Sequence, residues 1–127
     1  MDGPGSIKKD KVLLIGHSPE NEKILTDIIS PFYEVIISNE ESQIIEWLQD
    51  KENVISTAIL DMDVAISIIE SIRSIPTLEN FPILVSTIHG SGKIENELLE
   101  LEVVDFLKQP FDARRVLNRI KTCIRLY

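Results

Sequence analysis

The sequence predicts an α/β fold in which helices cover both faces of a parallel sheet. Short apolar runs rich in Val, Ile and Phe alternate with segments whose apolar residues recur three and four positions apart. Five runs of the first kind alternate with five segments of the second kind, and a helical segment comes last. Because strict alternation of strands and helices is typical of parallel sheets, we expect one doubly wound, five-stranded domain.

Each element follows from its own pattern. The predicted strands are residues 12–15, 32–37, 54–60, 81–85 and 103–107. The apolar faces of the five helices, in order, are Ile24, Leu25, Ile28 and Ile29; Ile44, Ile45 and Leu48; Ile66, Ile68, Ile69 and Ile72; Ile94, Leu98, Leu99 and Leu101; and Val116, Leu117, Ile120 and Ile124. Ser18 before Pro19 predicts the start of the first helix, and Asp112 predicts the cap of the last one.

Composition and charge exclude several classes of protein. The chain has 127 residues and a formal net charge of -8, from 13 basic and 21 acidic residues. This balance argues against nucleic-acid binding by the domain, because binding to phosphates needs a basic face. No apolar run approaches the roughly 20 residues of a membrane-spanning helix. The lone Cys123 fits a reducing compartment, so we expect a cytoplasmic location.

The first ten residues differ from the rest of the chain. Residues 1–10 contain the stretch MDGPGS and lack the apolar core of a signal peptide, so we interpret them as a tag remnant or flexible lead-in. Residues 11–127 form the predicted single domain.

In open parallel sheets, ligands bind beyond the carboxyl ends of the strands. The site candidates are therefore Gly16 and His17 after the first strand, residues 61–63 after the third, residues 86–89 after the fourth and residues 108–110 after the fifth. The stretch HGSGK, residues 89–93, departs from a phosphate-binding loop because Ile94 follows its lysine. We expect only a loop that leads into the fourth helix.

Four stretches resemble the receiver domain of bacterial response regulators in two-component signalling. They are VLLIGHSPEN, AILDMD, PILVSTIHG and DFLKQPFD, and the likeness runs from about residue 11 to the end of the printed sequence. The resemblance implies a flavodoxin-like sheet of strand order 2-1-3-4-5 and a phosphoacceptor at Asp61. It also implies a histidine kinase or another signalling protein as partner, as in a phosphorelay, and we expect no enzymatic activity.

The residues that such receivers use for chemistry are only partly kept. Their acidic pair falls on Gly16 and His17, and their lysine falls on Gln109. The acceptor falls on Asp61 and the hydroxyl that contacts the phosphoryl group falls on Thr87, so these two remain. Because the lost groups supply charge compensation in phosphoryl transfer, we predict a pseudo-receiver with impaired Mg²⁺-dependent phosphorylation. We expect no cofactor, and Mg²⁺ only if Asp61 does accept phosphate.

Neighbouring positions carry further expectations. Lys108 lies beside the lost lysine position, but alternation along a strand should turn it away from the site. The loop after Asp61 is shorter than the resemblance implies, and Asp63 is a candidate remnant of it. Phe106 falls on the family's switch aromatic, with plain core packing as the alternative. Pro110 is the candidate for a cis peptide bond.

His17 has three interpretations. It could be held protonated beside Asp61 and stand in for the lost metal ion, because a carboxylate favours the charged imidazole. It could instead bind a transition metal together with Asp61 and Asp63. The third interpretation is a solvated loop residue.

Charge on the last two helices suggests a partner surface. The fourth helix and its exit are acidic and the last helix is basic. The residues are Glu95, Glu97, Glu100 and Glu102, and Arg114, Arg115, Arg119, Lys121 and Arg125. Such faces are self-complementary under two-fold symmetry, so we expect a homodimer through the fourth helix, fifth strand and fifth helix. The alternative is solvated faces whose ion pairs are weak.

Three functions remain open from the sequence. The leading hypothesis is a pseudo-receiver that binds signalling proteins through that surface or through the first helix. The second is an atypical receiver that a histidine kinase phosphorylates on Asp61, with His17 or Gln109 partly compensating. The third is a small flavodoxin-like ligand-binding protein, although no phosphate-binding loop follows the first strand.

Overall fold

The computed structural model describes residues 9–88 and 92–126. In that part of the chain, five strands alternate with five α-helices. The strands are β1 (Lys11–Ile15), β2 (Glu34–Ile37), β3 (Ile55–Asp61), β4 (Ile83–Thr87) and β5 (Asp105–Lys108). The helices are α1 (Pro19–Ile29), α2 (Glu41–Leu48), α3 (Met62–Arg73), α4 (Gly92–Glu100) and α5 (Ala113–Leu126), and a 3-10 turn spans Pro76–Leu78.

The sheet is parallel throughout, with the order β2-β1-β3-β4-β5. This confirms the predicted doubly wound α/β fold and the strand order that the resemblance implied. Residues 1–8, most of the predicted lead-in, lie outside the described residues, whereas Asp10 accepts a hydrogen bond from the Ser56 hydroxyl at 3.0 Å. No helix of the described residues is long and apolar enough to cross a membrane.

Alternation along the strands builds a separate apolar core on each face of the sheet. In β1, Leu13 and Ile15 pack with residues of α2, α3 and α4, whereas Val12 and Leu14 pack with residues of α1 and α5. All four side chains are fully buried. Because both faces of β1 are enclosed, the residue that follows it is held firmly at the carboxyl edge of the sheet.

Side-chain caps fix the starts of two helices at this edge. Ser18 Oγ accepts the N–H of Asn21 at 3.2 Å, with Pro19 as the first residue of α1. Asp112 Oδ1 accepts the N–H groups of the second and third residues of α5 at 2.9 and 3.3 Å. Both helix starts agree with the prediction.

Several strand limits differ from the prediction. β2 begins at Glu34 rather than residue 32, because the N–H of Phe32 bonds Ile29 O in a turn that ends α1. β5 begins at Asp105 rather than residue 103, because Glu102 adopts a positive φ of 61° in the turn before it. β3 and β4 lie one and two residues further along the chain than predicted.

Candidate functional site

The carboxyl edge of the sheet carries an open polar cleft of about 460 Å³. Its walls come from the segments after β1, β3, β4 and β5, as expected for an open parallel sheet. The lining residues are Gly16, His17, Ser18, Asn21, Asp61, Met62, Asp63, Ile88 and Gln109. A larger hollow of about 660 Å³ lies beside Lys11 and Glu34 at the opposite edge, but the predicted site residues gather in the smaller cleft.

Asp61 ends β3 and also caps α3. Its Oδ2 accepts the backbone N–H of Asp63 at 3.0 Å, which satisfies one of the unpaired donors at the helix start. No residue separates strand from helix, since α3 begins at Met62. The connection is therefore as short as the sequence suggested, and the carboxylate bonds its own helix while staying partly exposed.

Ser86, rather than Thr87, brings a hydroxyl to Asp61. Asp61 and Ser86 are partners in the β3–β4 register, and Ser86 Oγ lies 3.5 Å from Asp61 Oδ1. Alternation places the Thr87 side chain on the other face of the sheet. Its buried Oγ1 has no hydrogen-bond partner among the described residues. This differs from the sequence-based expectation, which assigned the hydroxyl to Thr87.

His17 is buried beside Ser86. Its Nε2 lies 3.0 Å from Ser86 Oγ, and only 6% of the residue is exposed. Burial lowers the pKa of His17 below its ordinary value of 6.5, although the negative charge of Asp61 opposes the shift. No ion pair joins the two within the described part of the chain. The lowered pKa argues against a His17 held protonated by Asp61, because the loss of hydration outweighs the attraction of the carboxylate.

The cleft offers few side chains that could act as metal ligands. The second ring nitrogen of His17, Nδ1, is buried and has no hydrogen-bond partner in residues 9–88 and 92–126. Within the same residues, no three His, Cys, Asp or Glu side chains are grouped closely enough to hold a metal ion. The interpretation of His17, Asp61 and Asp63 as a transition-metal site therefore has no geometric support.

Gln109 closes the cleft from the side of β5. Its Oε1 accepts a hydrogen bond from Asn21 Nδ2 at 3.2 Å, and its backbone N–H donates to Thr87 O at 2.9 Å. The Gln109–Pro110 peptide bond is cis. Lys108 is exposed and does not line the cleft. Within residues 9–88 and 92–126, the lining residues include neither Lys nor Arg.

Asn21 is the polar contributor to the site that sequence reasoning missed, and it could have been suspected from its place in the first turn of α1. Ser86 lay within the candidate residues 86–89, but pairing the third and fourth strands in register is needed to give it the hydroxyl role. Phe106, the candidate switch residue, is buried in the apolar core shared with α3 and α4, which agrees with its packing alternative. His89, with residues 90 and 91 of the HGSGK stretch, lies outside the described residues.

Sequence comparison finds a relative at low identity. No protein-family model matches the chain. Hybrid signal transduction histidine kinase D of Dictyostelium discoideum is 22% identical over 114 residues, which is 88% of this chain and 7% of that protein. The chain therefore spans only a small part of this curated relative.

Solved structures resemble the chain over nearly its whole length. Full-length FixJ from B. japonicum superposes with a TM-score of 0.79 at 22% identity, covering 94% of this chain and 59% of that chain. A response regulator receiver domain protein from Clostridium thermocellum superposes with a TM-score of 0.77 at 16% identity, covering 91% of this chain and 94% of that chain. At these identities the likeness establishes the fold, and the chain has the fold of response regulator receiver domains.

Proposed function

We propose that the chain is a receiver-like signalling module that binds partner proteins without Mg²⁺-dependent phosphorylation of Asp61. Its fold and its likeness to a hybrid histidine kinase support a place in two-component signalling. One observation supports the loss of phosphorylation above all: the described residues that line the cleft around Asp61 include neither a carboxylate after β1 nor a cation after β5. We also propose that the module has no enzymatic activity, is cytoplasmic, and binds neither nucleic acid nor membrane.

The residues of the cleft do not fit Mg²⁺. This hard ion is held by carboxylates, carbonyls and waters. After β1, Gly16 offers no side chain and His17 offers a buried imidazole, a ligand that suits transition metals. Gln109 brings no charge to offset a phosphoryl group. A phosphoryl group on Asp61 would therefore lie near the Asp63 carboxylate, with no Lys or Arg among the described lining residues.

Beryllofluoride with Mg²⁺ tests this proposal, because it mimics a phosphoryl group on an aspartate. Amide spectra of the wild-type and Asp61→Ala chains would be compared with and without the reagent. We expect the wild type to show no shifts that the variant lacks, under conditions in which a Mg²⁺-binding receiver responds. Wild-type shifts that disappear in Asp61→Ala would contradict the proposal.

Such shifts would instead support an atypical but working phosphoacceptor, served by a histidine kinase. One observation favours this alternative: Asp61 is partly exposed in the cleft, with the Ser86 hydroxyl beside it. Gln109 also lines the cleft and could donate a hydrogen bond from its amide. Neither neighbour carries a positive charge, which is why we place this function second.

Exposed charge supports a partner surface made of α4, β5 and α5. Basic side chains are exposed on α5, and acidic ones on α4 and just after it. They are Arg114, Arg115, Lys121 and Arg125, and Glu97, Glu100 and Glu102. Arg119 differs because it forms an ion pair with Asp105 of β5 inside the molecule. Two copies related by a two-fold axis could pair these faces, so we propose a homodimer.

Sedimentation velocity tests the homodimer. We expect a dimer at low salt that dissociates as salt rises, because exposed charges are screened. The double variant Glu97→Lys, Glu100→Lys should be monomeric at low salt. A wild-type monomer at high protein concentration and low salt would overturn this part of the proposal.

A further inference from the structure

Gly16, the residue after β1, has both a backbone and a neighbour that oppose a larger side chain. Its φ is +79°, in the left-handed region, and its N–H donates to Asn39 Oδ1 at 2.8 Å. A Cβ built on Gly16 would overlap Val64 Cγ2 and lie 3.3 Å from Val64 Cγ1. The backbone alone would not exclude an aspartate, because Asp and Asn tolerate a positive φ better than other residues. The contact with Val64 is therefore the stronger obstacle.

Val64 reaches Gly16 because α3 begins without a loop. Met62 is the first residue of the helix and directly follows Asp61, the last residue of β3. The bond from the Asp63 N–H to Asp61 Oδ2 closes this first turn against the sheet. Val64 is partly buried and packs against the same apolar core as Ile15, which ends β1. A longer connection would let the start of α3 move away from the end of β1.

We propose that the first turn of α3, residues 62–64, is a built-in plug of the cleft, with Val64 filling the space that a carboxylate after β1 would need. The missing metal site is then a property of the backbone path as well as of the side chains. Replacing Gly16, His17 and Gln109 by the acidic pair and the lysine does not restore Mg²⁺ binding while Val64 stays in place.

Mg²⁺ binding by two restored chains tests the plug directly. One chain carries Gly16→Asp, His17→Asp and Gln109→Lys, and the second adds Val64→Ala. Mg²⁺ alone would be titrated into each while the amide shifts at the carboxyl ends of β1 and β3 are followed. We expect the second chain to bind at least about tenfold more tightly than the first. Equal affinity, or no binding by either chain, would overturn the proposal, because Val64 would then not be the obstruction.

A stability cycle keeps the proposal testable if the restored chains do not fold. Gly16→Ala would be made alone and in the Val64→Ala background, and thermal midpoints compared. We expect Gly16→Ala to lower the midpoint by several degrees in the wild type and by about half as much or less in the second background, since neighbouring sites are coupled. The remaining loss reflects the positive φ of position 16. An equal loss in both backgrounds would show that Val64 does not oppose a side chain there.

The plug rests on the proposed loss of phosphorylation, but the two ideas fail in different experiments. A beryllofluoride response of the wild-type chain would contradict the proposed function. Equal Mg²⁺ affinities, or no binding, in the two restored chains would contradict only the plug. The same holds for an equal loss of thermal midpoint on Gly16→Ala in both backgrounds.

Discussion

Asp61→Ala is expected to destabilise the protein, because Asp61 caps α3. The substitution removes the acceptor of the Asp63 N–H, whose bond to Asp61 Oδ2 is 3.0 Å long. It also removes a negative charge from the positive end of the helix dipole. Asp61→Asn keeps an acceptor oxygen in the same place and is the matched control. A stabilising effect of Asp61→Ala would be expected instead if repulsion from the nearby Asp63 carboxylate dominated.

The magnitude follows from these competing terms. Replacing an N-cap aspartate by alanine costs about 0.5–2 kcal/mol, which already includes most of the dipole effect. The Ser86 hydroxyl lies 3.5 Å from Asp61 Oδ1, at the limit of a hydrogen bond, so its loss adds little. Repulsion between the partly exposed Asp61 carboxylate and the exposed Asp63 carboxylate is worth about 0–1 kcal/mol. We therefore expect the free energy of unfolding to fall by about 1 kcal/mol.

Urea unfolding followed by far-UV circular dichroism measures this change. With an m value of about 2 kcal/mol/M, the Asp61→Ala midpoint should fall by about 0.5 M. The Asp61→Asn midpoint should fall by only a few tenths of that amount, because asparagine is about as good an N-cap as aspartate. An unchanged or higher midpoint for Asp61→Ala would refute the capping role, since repulsion would then be the larger effect.

Three further predictions concern His17, Arg73 and Cys123. Burial lowers the pKa of His17, so the unfolded chain binds more protons in acid than the folded chain, and the free energy of unfolding should fall as pH drops below about 6.5. In urea titrations at several pH values, His17→Asn should weaken this pH dependence. A His17 imidazole that titrates above 6.5 by NMR would contradict the prediction. Arg73 donates to four backbone carbonyls at 2.8–3.2 Å around the 3-10 turn and the end of α4, so Arg73→Met should lower the unfolding free energy by about 2–3 kcal/mol. The exposed Arg114→Met is its control, and equal urea midpoints for the two variants would show that the carbonyl bonds contribute nothing. The Cys123 thiol is buried and burial raises its pKa, so a thiol reagent should modify it only after unfolding; rapid modification of the native chain would show that the core opens there.

The fold could be predicted because its pattern is local. A strand buried on both faces, such as residues 12–15, must be apolar at every position, whereas a helix on the sheet is apolar every three or four residues. These two apolar patterns were enough to predict the number of strands and helices and their order along the chain. The order of the strands is not local, and it came from the resemblance of the motifs that end them. The limits of β2 and β5 were missed because turns at their starts depend on backbone bonds that no periodicity reveals.

The composition of the site was predictable, but its chemistry was not. Gly16 and Gln109 follow strands and Asp61 ends one, so their places at one edge of the sheet could be inferred from the sequence. The pKa of His17 depends on burial of its ring beside Ser86, which is 69 positions away along the chain. The choice between the Ser86 and Thr87 hydroxyls depends on the register of β3 and β4. Such contacts are set by the assembled sheet, and neither residue type nor spacing encodes them.

Intact-mass spectrometry after incubation with acetyl phosphate and Mg²⁺ tests the loss of phosphorylation most directly. A receiver that binds Mg²⁺ would serve as the positive control, and Asp61→Asn as the matched variant. We predict that the wild-type chain gains no phosphoryl group while the control receiver does. A phosphoryl adduct on the wild type that is absent from Asp61→Asn would contradict the central claim, because it would show that the cleft still supports transfer to Asp61.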